Sequence, residues 1–168
     1  IEEEDSVSLA SKQNTASEDG RVNVAVVRLS HISNFTDFNV LEKDPRVNLF
    51  YTNNVAELTN ADIIILPGSK STIADLRDIK NNGVAAAILK AHRRGCAVVG
   101  ICGGYQMMGR TVSDPDNTEG GGSLRGMSLL PIDTVFRPSK TTTQTRGTLL
   151  EIDGVLSDLS GLAVEGYE

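Results

Sequence analysis

Two cysteines, two histidines and no tryptophan are found among the 168 residues, and these scarcities already exclude several kinds of chemistry. Cys96 and Cys102 are separated by the apolar run Ala97–Ile101. If that run is a strand, six steps of roughly 3.3 Å set them about 20 Å apart, far beyond the roughly 7 Å Cα limit of a disulfide. With only His31 and His92 to add, no zinc-ligand spacing is completed either. No stretch of about 18 apolar residues occurs, which excludes a transmembrane helix, and no basic segment followed by an apolar one marks a secretory signal. A cytoplasmic location is therefore expected, and Asn34-Phe35-Thr36, although it fits the glycosylation sequon, is not expected to be modified. A basic excess is also lacking. Sixteen Lys and Arg stand against 22 Asp and Glu, and six of those acids lie in the first 20 residues with a single Lys, leaving 15 basic and 16 acidic residues in a near-neutral body. Such a body has no nucleic-acid footprint.

What is present fits one α/β domain: 39% hydrophobic and 23% charged residues with 16 glycines. Residues 1–20 are acidic and Ser-rich with few large apolar side chains, the composition of a linker. The chain opens on Ile1 rather than Met, so it is expected to be part of something longer. Order is expected from Val22–Leu29, a β-branched run suited to a buried strand, followed by a polar segment over His31–Asn39, a short helix and a strand near Val47–Tyr51. Asp62–Leu66 is apolar after its first residue, as a central strand covered on both faces should be, and ends at Pro67-Gly68. Helical spacing of Ile73, Leu76 and Ile79, and of Ile88, Leu89 and Ala91, predicts helices over Ser71–Asn82 and Val84–Arg94. Ala97–Ile101 is expected as a further buried strand and Tyr105–Gly109 as the start of a helix. Residues 111–125 read as loop, and Ser128–Phe136 and Thr141–Ile152, rich in Thr and Val, as longer antiparallel strands. The sum is a parallel α/β core with an antiparallel extension.

Gly100-Ile101-Cys102-Gly103-Gly104-Tyr105-Gln106, between an expected strand and an expected helix, has the form of a nucleophile elbow. In that motif small residues let a strained turn project the central side chain from the sheet edge. A helix starting directly behind a sulfur offers partial positive charge, which favours the reactive thiolate. The glycines have no evident packing reason to recur, so Cys102 is assigned as a nucleophile, whereas Cys96 reads as a structural thiol. Acyl transfer also needs donors for a tetrahedral oxyanion, and the residue after the nucleophile, Gly103, normally supplies one N–H. The second is expected from Leu66-Pro67-Gly68-Ser69-Lys70, where Gly68 permits close backbone approach; a plain strand-to-helix turn is the alternative. Lys70 either pairs with a ligand carboxylate or is solvated. Asn34, Thr36 and Asp37 are capping and turn residues or belong to an interdomain surface, and His92 reads as a solvated residue at a helix end.

Two look-alikes fail. Gly68-Ser69-Lys70-Ser71-Thr72 approaches a P-loop, but Ser69 stands where Gly must precede Lys and Ile63 stands at the earlier Gly. Gly120 and Gly122 begin a dinucleotide fingerprint that breaks at Arg125 and follows a loop.

The elbow, the segment Leu66-Pro67-Gly68-Ser69-Lys70-Ser71-Thr72, and Val27-Arg28-Leu29-Ser30-His31-Ile32-Ser33-Asn34-Phe35-Thr36-Asp37-Phe38 together resemble the class I (triad) glutamine amidotransferase domain of the cobyric acid synthase family, from Arg21 to the end. The resemblance implies a flavodoxin-like three-layer sandwich. In it Cys102 attacks the side-chain amide of glutamine, Gly68 and Gly103 hold the oxyanion, and Gln106 lines the glutamine pocket, with Lys70 a candidate for the glutamine α-carboxylate. No cofactor is implied for this domain. In such proteins ammonia passes to an N-terminal synthetase domain that uses ATP and Mg2+ to activate carboxylates of adenosylcobyrinic acid a,c-diamide in cobalamin biosynthesis; residues 1–20 would be that domain's trailing end.

The family pattern continues after Gly166-Tyr167-Glu168 with an Ile-His pair whose histidine is the base for the cysteine. The segment alone is therefore expected to be nearly inactive, and no acidic third member is assigned. Two other readings stand at this point: an amidotransferase serving a different acceptor, cobyrinate or lipid II, and a DJ-1-like module in which Cys102 senses oxidants.

Overall fold

The computed structural model describes residues 15–17, 19–139 and 142–167, which fall into two compact units, Ile1–Phe136 and Arg137–Glu168. The first is built on four parallel strands, β1 (Val22–Val27), β3 (Val47–Thr52), β4 (Ile63–Leu66) and β6 (Ala97–Gly100), in the order β3-β1-β4-β6. Val24 is paired with Leu49 on one side and Ile63 on the other, and Ile65 with Val99. Parallel neighbours need long crossovers. Those following β4 are α3 (Thr72–Asn81) and α4 (Val84–Arg93), broken at Gly83, whose φ of +86° suits glycine.

The apolar stripes read from the sequence are the buried ones, except that Leu89 is only half-buried. Ile73, Leu76 and Ile79 of α3 and Val84, Ile88 and Ala91 of α4 are buried in one core with Phe50, Ile64 and Leu66 of the sheet. Leu76 is fully buried, so its truncation to Ala costs about 2–5 kcal/mol. The polar segment after β1 contains a two-residue strand, β2 (Ile32–Ser33), and a 3-10 turn over Phe35–Phe38 that buries both its phenylalanines, leading into α1 (Asn39–Glu42). Asn34 sits in the left-handed region at φ +54°, which Asn tolerates, and its side chain makes no cap. A short α2 (Val55–Leu58) follows β3, with the Asn54 side chain accepting the Ala56 N–H.

The α/β class and the mostly parallel sheet with antiparallel additions are as expected, and several details differ. The expected buried strand Ala97–Ile101 is the edge β6, with Ala97, Val99 and Ile101 exposed and Val98 half-buried. An edge strand with one face turned to the core follows a period of two, which a run of apolar letters does not reveal. Residues 111–125 are not simply loop: β7 (Thr111–Asp114) pairs antiparallel with β8 (Gly122–Arg125), the three glycines at 120–122 all having positive φ at the turn. The strand expected over Ser128–Phe136 shortens to β9 (Asp133–Val135) and pairs parallel with β7.

In the second unit, β10 (Gln144–Thr148) pairs antiparallel with β11 (Ala163–Tyr167) around a 3-10 turn over Gly154–Leu159, and Arg146 meets Glu165 at 3.1 Å. Part of the strand expected there, at Thr141, lies outside the described residues, as does most of the expected linker 1–20. Its described part is tied down: Ala16 N–H donates to Glu57, and Ser17 exchanges hydrogen bonds with the Asn23 side chain. No helix among the described residues is long and apolar enough to cross a membrane.

Candidate active site

Cys102 is placed by the junction of β6 with α5 (Gly103–Met107). Its backbone has φ +49° and ψ −115°, a conformation that a side-chain-bearing residue pays strain to adopt, and its side chain is exposed. The junction is fixed from below. Ile101 N–H donates to Leu66 O at 2.9 Å, Gly104 N–H to Ile101 O at 2.9 Å, and Gln106 N–H to Cys102 O at 3.1 Å.

The glycines of the motif do have a packing reason, contrary to the expectation from sequence. A Cβ on Gly104 would fall 2.0 Å from Leu66 O, and one on Gly100 2.6 Å from the Tyr105 Cα. The first turn of α5 thus lies directly on the C-terminal end of β4, and this close approach gives the strand-to-helix turn its sharpness. These closely packed glycines flank Cys102, which stays exposed.

Beside the elbow runs a two-stranded ribbon, β2 against β5 (Gly68–Ser69), with Ile32 opposite Ser69 and Ser33 opposite Gly68. Lys70 N–H donates to His31 O at 2.9 Å. In an antiparallel ladder hydrogen-bonded and non-bonded pairs alternate, so Gly68 is turned toward Ser33 and the N–H of Ser69 away from the ribbon. That side faces the elbow: Ser69 N lies 3.1 Å from where a Cβ on Gly103 would be. Gly68 stands opposite Cys102, its own Cβ position 3.8 Å from the Cys102 Cβ. The expected loop is therefore beside the cysteine, as a short strand rather than a turn, and the N–H left free of the ribbon on that side is that of Ser69, not that of Gly68, the donor expected from the sequence.

Gln106 is half-buried on α5, one helical turn beyond Cys102. Lys70 is exposed at the end of the ribbon. His92 is exposed in the last turn of α4. His31 is half-exposed with its Nδ1 2.8 Å from an oxygen of Asp75, and no hydrogen bond among the described residues joins either histidine to Cys102. Cys96, at the other end of β6, is half-buried, and burial first and Asp62 second push its thiol up from the ordinary value.

Two carboxylates near the site were missed by sequence reasoning. Asp75 of α3 is fully buried and accepts from Ser69 Oγ at 2.6 Å. Its signal was faint: an acid on the stripe that also holds Thr72, Leu76 and Ile79. The second is Glu119, whose Oε2 accepts the Thr72 N–H at 2.9 Å at the start of α3. Glu119 is aimed there by buried Asp114, which accepts the N–H groups of Thr118, Glu119 and Gly121 at 2.7, 2.6 and 2.9 Å. Burial raises the Asp114 pKa, but those N–H groups outweigh it and hold the carboxyl below the usual range.

The sequence of the chain is similar to those of known proteins. Over 169 aligned residues the chain is 58% identical to a cobyric acid synthase of Bacteroides fragilis, covering all of this chain and 32% of that protein. It is 49% identical over 168 residues to the cobyric acid synthase of Lachnoclostridium phytofermentans, again across the whole chain and 32% of the relative, and 44% identical over 169 residues to that of Moorella thermoacetica, across 33% of it. The chain thus spans about a third of the length of the curated relatives it matches. The sequence profile of the CobB/CobQ-like glutamine amidotransferase domain matches residues 23–168, and the chain belongs to that family.

Proposed function

We propose that this chain is the glutaminase domain of a cobyric acid synthase. The observation that carries the reading is Cys102 at φ +49° on a strand-to-helix turn, with the Gly68–Ser69 strand beside it. In the proposed reaction the Cys102 thiolate attacks the side-chain carbonyl carbon of glutamine. The carbonyl π electrons move onto oxygen, where the N–H groups of Gly103 and Ser69 receive the oxyanion, and Gly68 keeps the facing strand free of a side chain. Collapse of the intermediate breaks the C–N bond and the nitrogen leaves, protonated, as ammonia. Water then cleaves the γ-glutamyl thioester to glutamate and regenerates the thiol. Gln106 and Lys70 are proposed to bind the glutamine, Lys70 through its α-carboxylate.

Protonation of the leaving amine requires a general acid and activation of the water a general base, two roles that one group fills in turn. His31 is engaged by Asp75 and His92 sits at the end of α4, so the base is proposed to come from outside these 168 residues, leaving the segment alone a poor glutaminase. Because the named relatives are cobyric acid synthases about three times as long, the ammonia is proposed to serve an ATP- and Mg2+-dependent amidation of a corrinoid carboxylate by a synthetase segment of the same polypeptide, in the cytoplasm.

The test is ammonia release from glutamine by the full-length protein, its Cys102→Ala variant, and the 168-residue segment with and without an extension beyond Glu168. Turnover in the full-length protein, loss in the variant and recovery on extension support the reading. Equal rates for the two segments would place the base within this chain.

A further inference from the structure

Asp75 is a carboxylate with no contact to water, at the first turn of α3, and its ties all run to one structure. One oxygen accepts Ser69 Oγ at 2.6 Å; the other lies 2.8 Å from His31 Nδ1; and the His31 backbone N–H reaches the two oxygens at 3.2 and 3.3 Å. Ser69 Oγ accepts the Ser71 N–H at 2.9 Å in turn. His31 directly precedes β2 and Ser69 ends β5, so a single carboxylate ties both arms of the ribbon to the helix. The elbow is fixed independently, through Leu66 and Ile101. A buried ionised carboxylate is costly unless donors satisfy it, and here each of its donors comes from His31 or Ser69. Asp75 thus ties the ribbon to α3 on the side where Ser69 packs against Gly103.

The geometry points to Asp75 as a positioning residue for the glutaminase reaction. Acting through Ser69 and His31, it holds the Ser69 N–H on the elbow's side of the ribbon, where the oxyanion of the proposed thioester chemistry forms. This inference rests on the glutaminase reading above. It requires Asp75 to influence stages in which negative charge develops on the substrate oxygen, and not the accessibility of the sulfur. An error of about 1 Å in placing a catalytic group costs on the order of 10²-fold in rate.

The experiment uses the full-length protein with Asp75→Asn, Ser69→Ala and the double variant, each checked for folding by thermal unfolding. Ammonia release from glutamine is measured together with the rate at which iodoacetamide alkylates Cys102. Asp75→Asn keeps the volume but presents an amide donor to one of its former donors. It is expected to lower kcat by roughly 10- to 10²-fold with KM within about threefold. Ser69→Ala is expected to do the same, and the double variant to be little worse than the weaker single one, because both cut the same tie. Alkylation of Cys102 should stay within about twofold, since that reaction builds no oxyanion. Wild-type kcat in Asp75→Asn, additive losses in the double variant, or an equal slowing of alkylation would each overturn the inference. Should Asp75→Asn fail to fold, unchanged kcat in Ser69→Ala overturns it alone. A wild-type protein that releases no ammonia overturns the glutaminase reading itself.

Discussion

The two ends of β6 each carry a cysteine, six residues apart, and they differ in nearly every respect that bears on reactivity. At the strand's start Cys96 is half-buried, its sulfur 3.5 Å from the Ala97 carbonyl oxygen and its thiol pushed up by burial and Asp62. At the strand's end Cys102 is exposed, at positive φ, with glycines at 100, 103 and 104 and the Gly68–Ser69 strand opposite. The residue type is the same, so what distinguishes the ends is backbone. At one the chain enters the sheet from the turn that ends α4, the positive φ falling on Gly95 rather than on the cysteine; at the other Cys102 itself takes the positive φ, in a turn packed on the carbonyl of Leu66.

The sharpest break of this contrast is removal of the sulfur. Cys102→Ala in the full-length protein should lower glutamine hydrolysis on the order of 10³-fold or more, measured as ammonia release. Next comes the facing strand. Gly68→Val places carbon 2.7 Å from Ser33 Oγ and in front of Cys102, and should lower kcat by about 10²- to 10³-fold if an oxyanion donor is displaced. Unchanged turnover would make the ribbon a bystander. A smaller effect is expected at exposed Lys70: Lys70→Ala should raise KM for glutamine about tenfold with kcat nearly constant, as loss of one charged contact to an α-carboxylate implies. An unaltered KM would return that side chain to solvent.

The smallest effects belong to Cys96. Cys96→Ala should leave hydrolysis within about twofold, since nothing around it is arranged for acyl transfer. Its raised thiol pKa means that little thiolate exists near neutrality, so alkylation of Cys96 should be slow at pH 7 and climb as pH passes the ordinary thiol value. Rapid labelling of Cys96 at pH 7 would contradict that environment.

Much of this contrast was legible in the sequence because it is written in local patterns. The small-residue turn around Cys102 and the apolar stripes of α3 and α4 depend on neighbours within a few residues. What stayed hidden depends on pairing at a distance. The partnership of Ile32 with Ser69 spans 37 positions and involves strands of two residues, too short for any periodicity. Asp75 reads as an ordinary first-turn acid until His31 and Ser69 are seen around it. The edge position of β6 and the parallel pairing of β9 with β7 are likewise properties of strand order, which composition does not encode. The glycines were found for a partly mistaken reason: they serve the elbow by letting α5 touch β4, and not in place of packing.

The most direct test is to quench the full-length protein during steady-state turnover of glutamine and map acyl adducts by peptide mass spectrometry. A γ-glutamyl group on the peptide bearing Cys102, absent from Cys96 and lost in Cys102→Ala, is the predicted result. Ammonia release that persists in Cys102→Ala, or an adduct carried by any other residue, would contradict it.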